Sequence, residues 1–120
     1  MSIRRALIEA KKSTFLPHRV GAVVAKGSRI LSTGYNSRQA SGVLQTSTRH
    51  AEASAILKLL KEKRLNDLVG STLYVTRFKR SGVVGLAKPC KECQQLIKSV
   101  GISTICFTDN FGNTIEEKVI

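Results

Sequence analysis

Two short stretches decide how this chain is read: His50-Ala51-Glu52 and Pro89-Cys90-Lys91-Glu92-Cys93. Each stands where a helix is expected to begin. In Cys-x-x-Cys at a helix start the two sulfurs fall on one side of a single turn, and the unpaired amides and dipole of the helix end favour thiolates. One imidazole adds a third donor. Two thiolates and a neutral imidazole leave a bound Zn²⁺ formally neutral and three-coordinate, with the open position that a catalytic zinc keeps for water. Such an ion lowers the pKa of that water toward neutrality. Glu52 then need not be a ligand. It stands at the same helix end as His50, placed to take a proton from the water and pass it on. The competing reading is a structural zinc, which requires a fourth protein ligand. Its candidates are Cys106, in the apolar run Ile105-Cys106-Phe107, where a buried thiol is expected, and His18, which follows Pro17 in a loop.

Working outward, the pattern predicts a helix over residues 2–14, with Ile3, Leu7 and Ala10 on one side and Pro17 as its stop. Residues 20–25 and 30–35 read as two strands of a hairpin joined at Lys26-Gly27-Ser28. Residues 36–49 are polar and read as a long loop. A helix follows over 51–64, with Ala53, Ile56, Leu57 and Leu60 as its apolar face and Ser47 or Thr48 as its cap. Residues 71–77 form a strand, and 78–88 a basic segment containing Gly82 and Gly85, read as a short hairpin or flap. The next helix spans 90–100, apolar at Cys93, Leu96, Ile97 and Val100, with Gly101 ending it. Strands over 103–108 and 113–120 flank a turn at 109–112. The order α-β-β-α-β-α-β-β favours an α/β sandwich with helices covering a mixed sheet.

The chain has 120 residues, which suits one domain over 1–120. Hydrophobic residues make up 42%, enough for a real core, so extensive disorder is not expected. The formal charge is +12, from 20 basic and 8 acidic residues, which favours an anionic partner. Three cysteines do not make the even set usual in a secreted disulfide framework. Residues 1–10 do not read as a signal peptide, and no stretch approaches the ~18 apolar residues of a membrane span. A reducing, cytoplasmic location is expected.

H-x-E followed by P-C-x-x-C resembles the signature of zinc nucleobase deaminases. On these residues the chain resembles the cytidine deaminase-like superfamily, in particular its deoxycytidylate deaminase and phage or viral branch, over roughly residues 20–107. The resemblance implies a three-layer α-β-α sandwich around a five-stranded mixed sheet. It implies His50, Cys90 and Cys93 as zinc ligands and Glu52 as proton shuttle. Gly34-Tyr35-Asn36 matches the family's G-x-N, which makes Asn36 the expected substrate contact, although a turn residue fits the same position. Ala51 resembles the residue whose backbone meets the base edge, and Leu73-Tyr74-Val75-Thr76 resembles the third strand. Residues 77–88 depart from many relatives, in which this strand runs almost directly into P-C-x-x-C. The segment reads either as a surface hairpin or as a basic flap for a phosphate or a nucleic-acid strand.

The implied reaction is deamination of a cytosine-type base, first in a free nucleoside or nucleotide such as dCMP. A polynucleotide cytosine or adenine deaminase is the second reading. The charge supports it, whereas the absence of Trp and the presence of only four Phe and two Tyr leave few stacking platforms. A zinc-stabilised, non-enzymatic nucleic-acid-binding module is the third, and an unliganded Glu52 argues against it. The resemblance also implies a homo-oligomer.

Overall fold

The computed structural model describes residues 2–13, 18–38 and 48–119. Pro17, Ser47 and most of the polar loop lie outside the described residues. Among those described, the chain forms α1 (Ser2–Ala10), β1 (His18–Lys26), β2 (Arg29–Tyr35), β3 (Ser37–Arg38), β4 (Thr48–Arg49), α2 (Ala51–Lys61), α3 (Leu65–Leu68), β5 (Thr72–Lys79), β6 (Val84–Gly85), α4 (Lys91–Ser99), β7 (Thr104–Thr108) and β8 (Thr114–Lys118). The five long strands lie in the order β2-β1-β5-β7-β8, and β6 pairs with β5. β5 and β7 run parallel and the other neighbours antiparallel, so the sheet is mixed, as expected.

The two-residue period of a strand sorts side chains between the faces. Ala22, Val24, Leu73, Val75, Ile105 and Phe107 are buried in one cluster with Ala55, Ile56 and Leu59 of α2 and Cys93 and Ile97 of α4. Val23 and Ala25 turn the other way and pack with Ala6 of α1 and with Tyr74. The result is the α-β-α sandwich: α1 on one face, α2 and α4 on the other.

Two glycines let the helices sit close. A Cβ on Gly34 would lie 2.6 Å from the Ala51 carbonyl and 2.7 Å from the Ala55 amide, and one on Gly21 would strike the backbone of α1 at Ala6 and Ala10. Gly34 therefore fixes the seat of α2 on β2. Ser32 Oγ donates to the Ala55 carbonyl at 2.8 Å and Lys58 Nζ to the Thr33 carbonyl at 2.6 Å, which fixes its rotation.

This rotation corrects the apolar face drawn from spacing alone. The buried residues of α2 are Ala51, Glu52, Ala55, Ile56 and Leu59, and Leu57 is 44% exposed. Thr48 does not cap the helix; it pairs with Arg38 in the β3–β4 ladder, and His50 holds the N-cap position. α2 stops at Lys61, and the short α3 follows. α1 ends at Ala10, earlier than expected, and buries Ala6, Glu9 and Ala10. The basic segment is a hairpin: β5 continues to Lys79, and β6 returns with Phe78 opposite Val84 and Arg77 opposite Gly85. Arg19 lies over the Phe78 ring at 5.5 Å, tying the hairpin to β1.

Glu9 is 2% exposed and takes Lys12 at 3.0 Å and Arg5 at 3.2 Å on one carboxylate oxygen. Burial works to raise its pKa, but hydrogen bonds and charge from Lys12 and Arg5 outweigh it and hold the carboxyl below the usual glutamate value. A depressed folded-state pKa contributes stability above the unfolded value, and that stability is lost as pH falls through the folded value. Glu9→Gln is therefore expected to cost about 1 kcal/mol at pH 7, because both cations are about half exposed and screened. The difference should shrink below about pH 4. Urea unfolding across pH checks this; a cost that stays constant down to pH 3 would contradict it.

Candidate active site

α2 and α4 both start beside one cavity of about 160 Å³, lined by His18, Val20, Asn36, His50, Ala51, Glu52, Arg77, Leu86, Ala87, Lys88 and Cys90. His50 is the N-cap of α2 (φ −71°, ψ 147°) and Cys90 that of α4 (φ −69°, ψ 169°), and neither side chain caps its helix. Their carbonyls open the helical ladders, accepting from Ser54 at 3.0 Å and Gln94 at 2.8 Å. The imidazole and thiol are thus left to face the cavity, with the positive ends of two helices beside them.

His50 Nδ1 lies 3.2 Å from Cys93 Sγ and 3.6 Å from Cys90 Sγ. One donor atom from each of the three residues lies within 4.8 Å of the others. Tetrahedral zinc, with bonds of about 2.3 Å to sulfur and about 2.0–2.1 Å to nitrogen, separates those atoms by about 3.5 Å. The observed spacings bracket that value, so the donor set fits zinc in both chemistry and size. Burial pushes the Cys93 thiol up, and the nearby Glu52 and Cys90 push it the same way.

No further His, Cys, Asp or Glu joins the three among the described residues. Cys106 alternates with Ile105 and Phe107, so it faces away from the trio, toward Ile3, Leu7 and Tyr74 under α1. His18 lines the same cavity but is not in the cluster. Burial, then the charges of Arg77 and His50, lower its pKa.

Glu52 lies in the first turn of α2 and is 5% exposed. Burial raises its pKa, opposed by its own backbone amide and by His50. It lines the cavity without joining the metal cluster, as an acid–base group should. Ala51 is fully buried in the cavity wall.

Asn36 also lines the cavity, but most of its amide is used at home. Its Oδ1 accepts from the Val20 amide at 2.9 Å, and Nδ2 donates to the His18 carbonyl at 3.1 Å. One Nδ2 hydrogen remains beyond those bonds. Sequence spacing did not reveal the anchors of the segment leading into Cys90. The Ala87 amide donates to the Thr108 carbonyl at 2.8 Å, Thr108 Oγ1 to the Gly85 carbonyl at 2.9 Å, and the Leu86 amide to Asn110 Oδ1 at 3.0 Å.

Residues 2–109 match the family model described as the cytidine and deoxycytidylate deaminase zinc-binding region. The chain belongs to that family. The deaminase is 32% identical over 125 residues to the deoxycytidylate deaminase of Mycobacterium phage D29, covering 85% of this chain and 87% of that protein. It is 34% identical over 106 residues to the chloroplastic tRNA(adenine(34)) deaminase of Arabidopsis thaliana, covering 86% of this chain but 7% of that protein. Among solved structures, cytidine deaminase from Burkholderia pseudomallei superimposes with a TM-score of 0.73 at 19% identity, over 98% of this chain and 89% of that one. That likeness carries the fold and extends through β8, beyond the family match.

The deaminase is a zinc protein, and a zinc held by His50, Cys90 and Cys93 would tie α2 to α4. Stripping the metal with a chelator is expected to lower stability by about 3 kcal/mol or more, and Cys93→Ser to reduce bound zinc well below one per chain. Calorimetry and elemental analysis check both effects. An unchanged unfolding midpoint after complete zinc removal would contradict the arrangement.

Proposed function

We propose that this chain, acting as one zinc-dependent domain in a reducing cytoplasm, hydrolyses the exocyclic amine of cytosine in a free nucleoside or nucleotide such as dCMP. The carrying observation is the three-donor cluster with the buried, unliganded Glu52 beside it in one cavity. The D29 relative, a deoxycytidylate deaminase that this chain matches over most of its length, supports cytosine over adenine.

His50, Cys90 and Cys93 would hold the zinc, which when bound supplies Lewis-acid activation of the attacking water. Glu52 takes a proton from that water at its carboxylate. It delivers that proton to the ring nitrogen, then takes the remaining proton of the added hydroxyl and passes it to the departing amine, so that cytosine and water give uracil and ammonia. Burial raises its pKa above the ordinary glutamate value, which favours its holding the proton between the two transfers. Ala51 forms the wall against which the base lies, and Asn36 offers its remaining Nδ2 hydrogen to an acceptor on the substrate. The two bonds from Asn36 to β1 hold that donor in place.

Glu52→Gln keeps the size of the side chain and removes the proton acceptor. Turnover is expected to fall by about 10²–10⁴-fold, with zinc content and unfolding midpoint close to wild type. Mass spectrometry of cytidine, dCMP, dCTP and cytosine- or adenine-containing single strands, incubated with both proteins, checks this. A wild type that converts none of them, or a variant as active as wild type, would overturn the reading.

A further inference from the structure

The basic hairpin sends few of its cations into the cavity. β5 turns Leu73 and Val75 toward α2 and α4. The same alternation turns Arg77 to that face, where it lines the cavity. Lys79 instead lies along Gly85, and Arg80 is exposed. Lys88 also lines the cavity, but Glu117 holds it at 3.6 Å.

Among the described residues Arg77 has no such counter-charge. It is absent from the ion pairs of the described residues. Its Nε is enclosed and has no hydrogen-bond partner among the described residues. Its Nη1 makes only a long contact, 3.5 Å, with the Leu86 carbonyl. An enclosed N–H without an acceptor is unfavourable, so such groups usually mark a place where an acceptor arrives. A guanidinium fork matches the oxygens of a phosphate, forming two parallel charge-assisted bonds. Cytosine and its sugar are uncharged, so the phosphate is the part of the substrate that can meet this cation with an opposite charge.

We propose that Arg77 is the specificity-determining residue that binds the phosphate of the substrate, making the chain a deaminase of phosphorylated cytosine nucleotides in preference to nucleosides. The proposal rests on the deaminase reading above. Arg77 is a half-buried part of the cavity wall, so it can meet a phosphate that enters with its own base.

The test compares kcat/KM for dCMP, deoxycytidine and a short cytosine-containing oligodeoxynucleotide in wild type, Arg77→Lys and Arg77→Ala. Zinc content and unfolding are measured on each. Wild type is expected to prefer dCMP to deoxycytidine, and inorganic phosphate is expected to compete with dCMP. Arg77→Ala should lower the dCMP-to-deoxycytidine ratio by about ten- to a hundredfold, chiefly through KM, and Arg77→Lys by less. Equal losses on both substrates, or an unchanged ratio, would overturn the role of Arg77 while leaving deamination intact. So would a loss confined to the oligonucleotide. If Arg77→Ala does not fold, the wild type and Arg77→Lys decide: no preference for dCMP and no competition by phosphate would overturn the proposal. A wild type inert toward all three substrates would instead sink the deaminase reading itself.

Discussion

Everything at the site depends on two helix starts being brought to one cavity. His50 and Cys90 hold the N-cap positions of α2 and α4, and Cys93 follows within the first turn. Their donor atoms meet only if each helix is seated to within an ångström or so. Gly34 does this for α2 by letting its backbone rest on β2. For α4, the work falls to the segment before Cys90, pinned by the Thr108 carbonyl and Asn110. The sheet therefore acts as the jig, and the cation that the donors fit would close it from the other side.

The parts of this arrangement that were legible in sequence are those in which the chemistry and its position are written side by side. Cys90 and Cys93 share one turn, and His50 and Glu52 share another, so helix geometry alone groups them in pairs. The order of elements along the chain could be read because β-branched runs alternate with clear turns. What escaped depends on partners distant in the chain. The buried face of α2 is set by its rotation against β2, which no helical wheel contains, so Leu57 was expected inside and Leu59 was missed. Glu9 could not be placed in the interior without knowing that α1 lies against Gly21. Asn36 lies in the cavity wall, beside the site its G-x-N position suggests, but that His18 and Val20 use most of its amide is not written in the sequence. Arg77 was one cation among 20 basic residues, and only the parity of β5 singles it out.

The site divides its labour by electrostatics. Two thiols and an imidazole supply the charge and softness that zinc requires. Glu52 is buried and lies outside that set, and desolvation raises its pKa. Arg77 supplies positive charge away from the donors, where it answers the substrate's phosphate without competing for the metal. The overall charge of +12 acts at longer range, drawing anionic substrates toward the surface, and does not itself distinguish them.

A crystal structure of the protein purified with its metal, with anomalous data collected on both sides of the zinc edge, tests the central claim most directly. The account predicts a single zinc peak bonded to His50 Nδ1, Cys90 Sγ and Cys93 Sγ, with no fourth protein atom and with the Glu52 carboxylate near but not bonded. A peak elsewhere, or a fourth side chain completing the sphere, would contradict it.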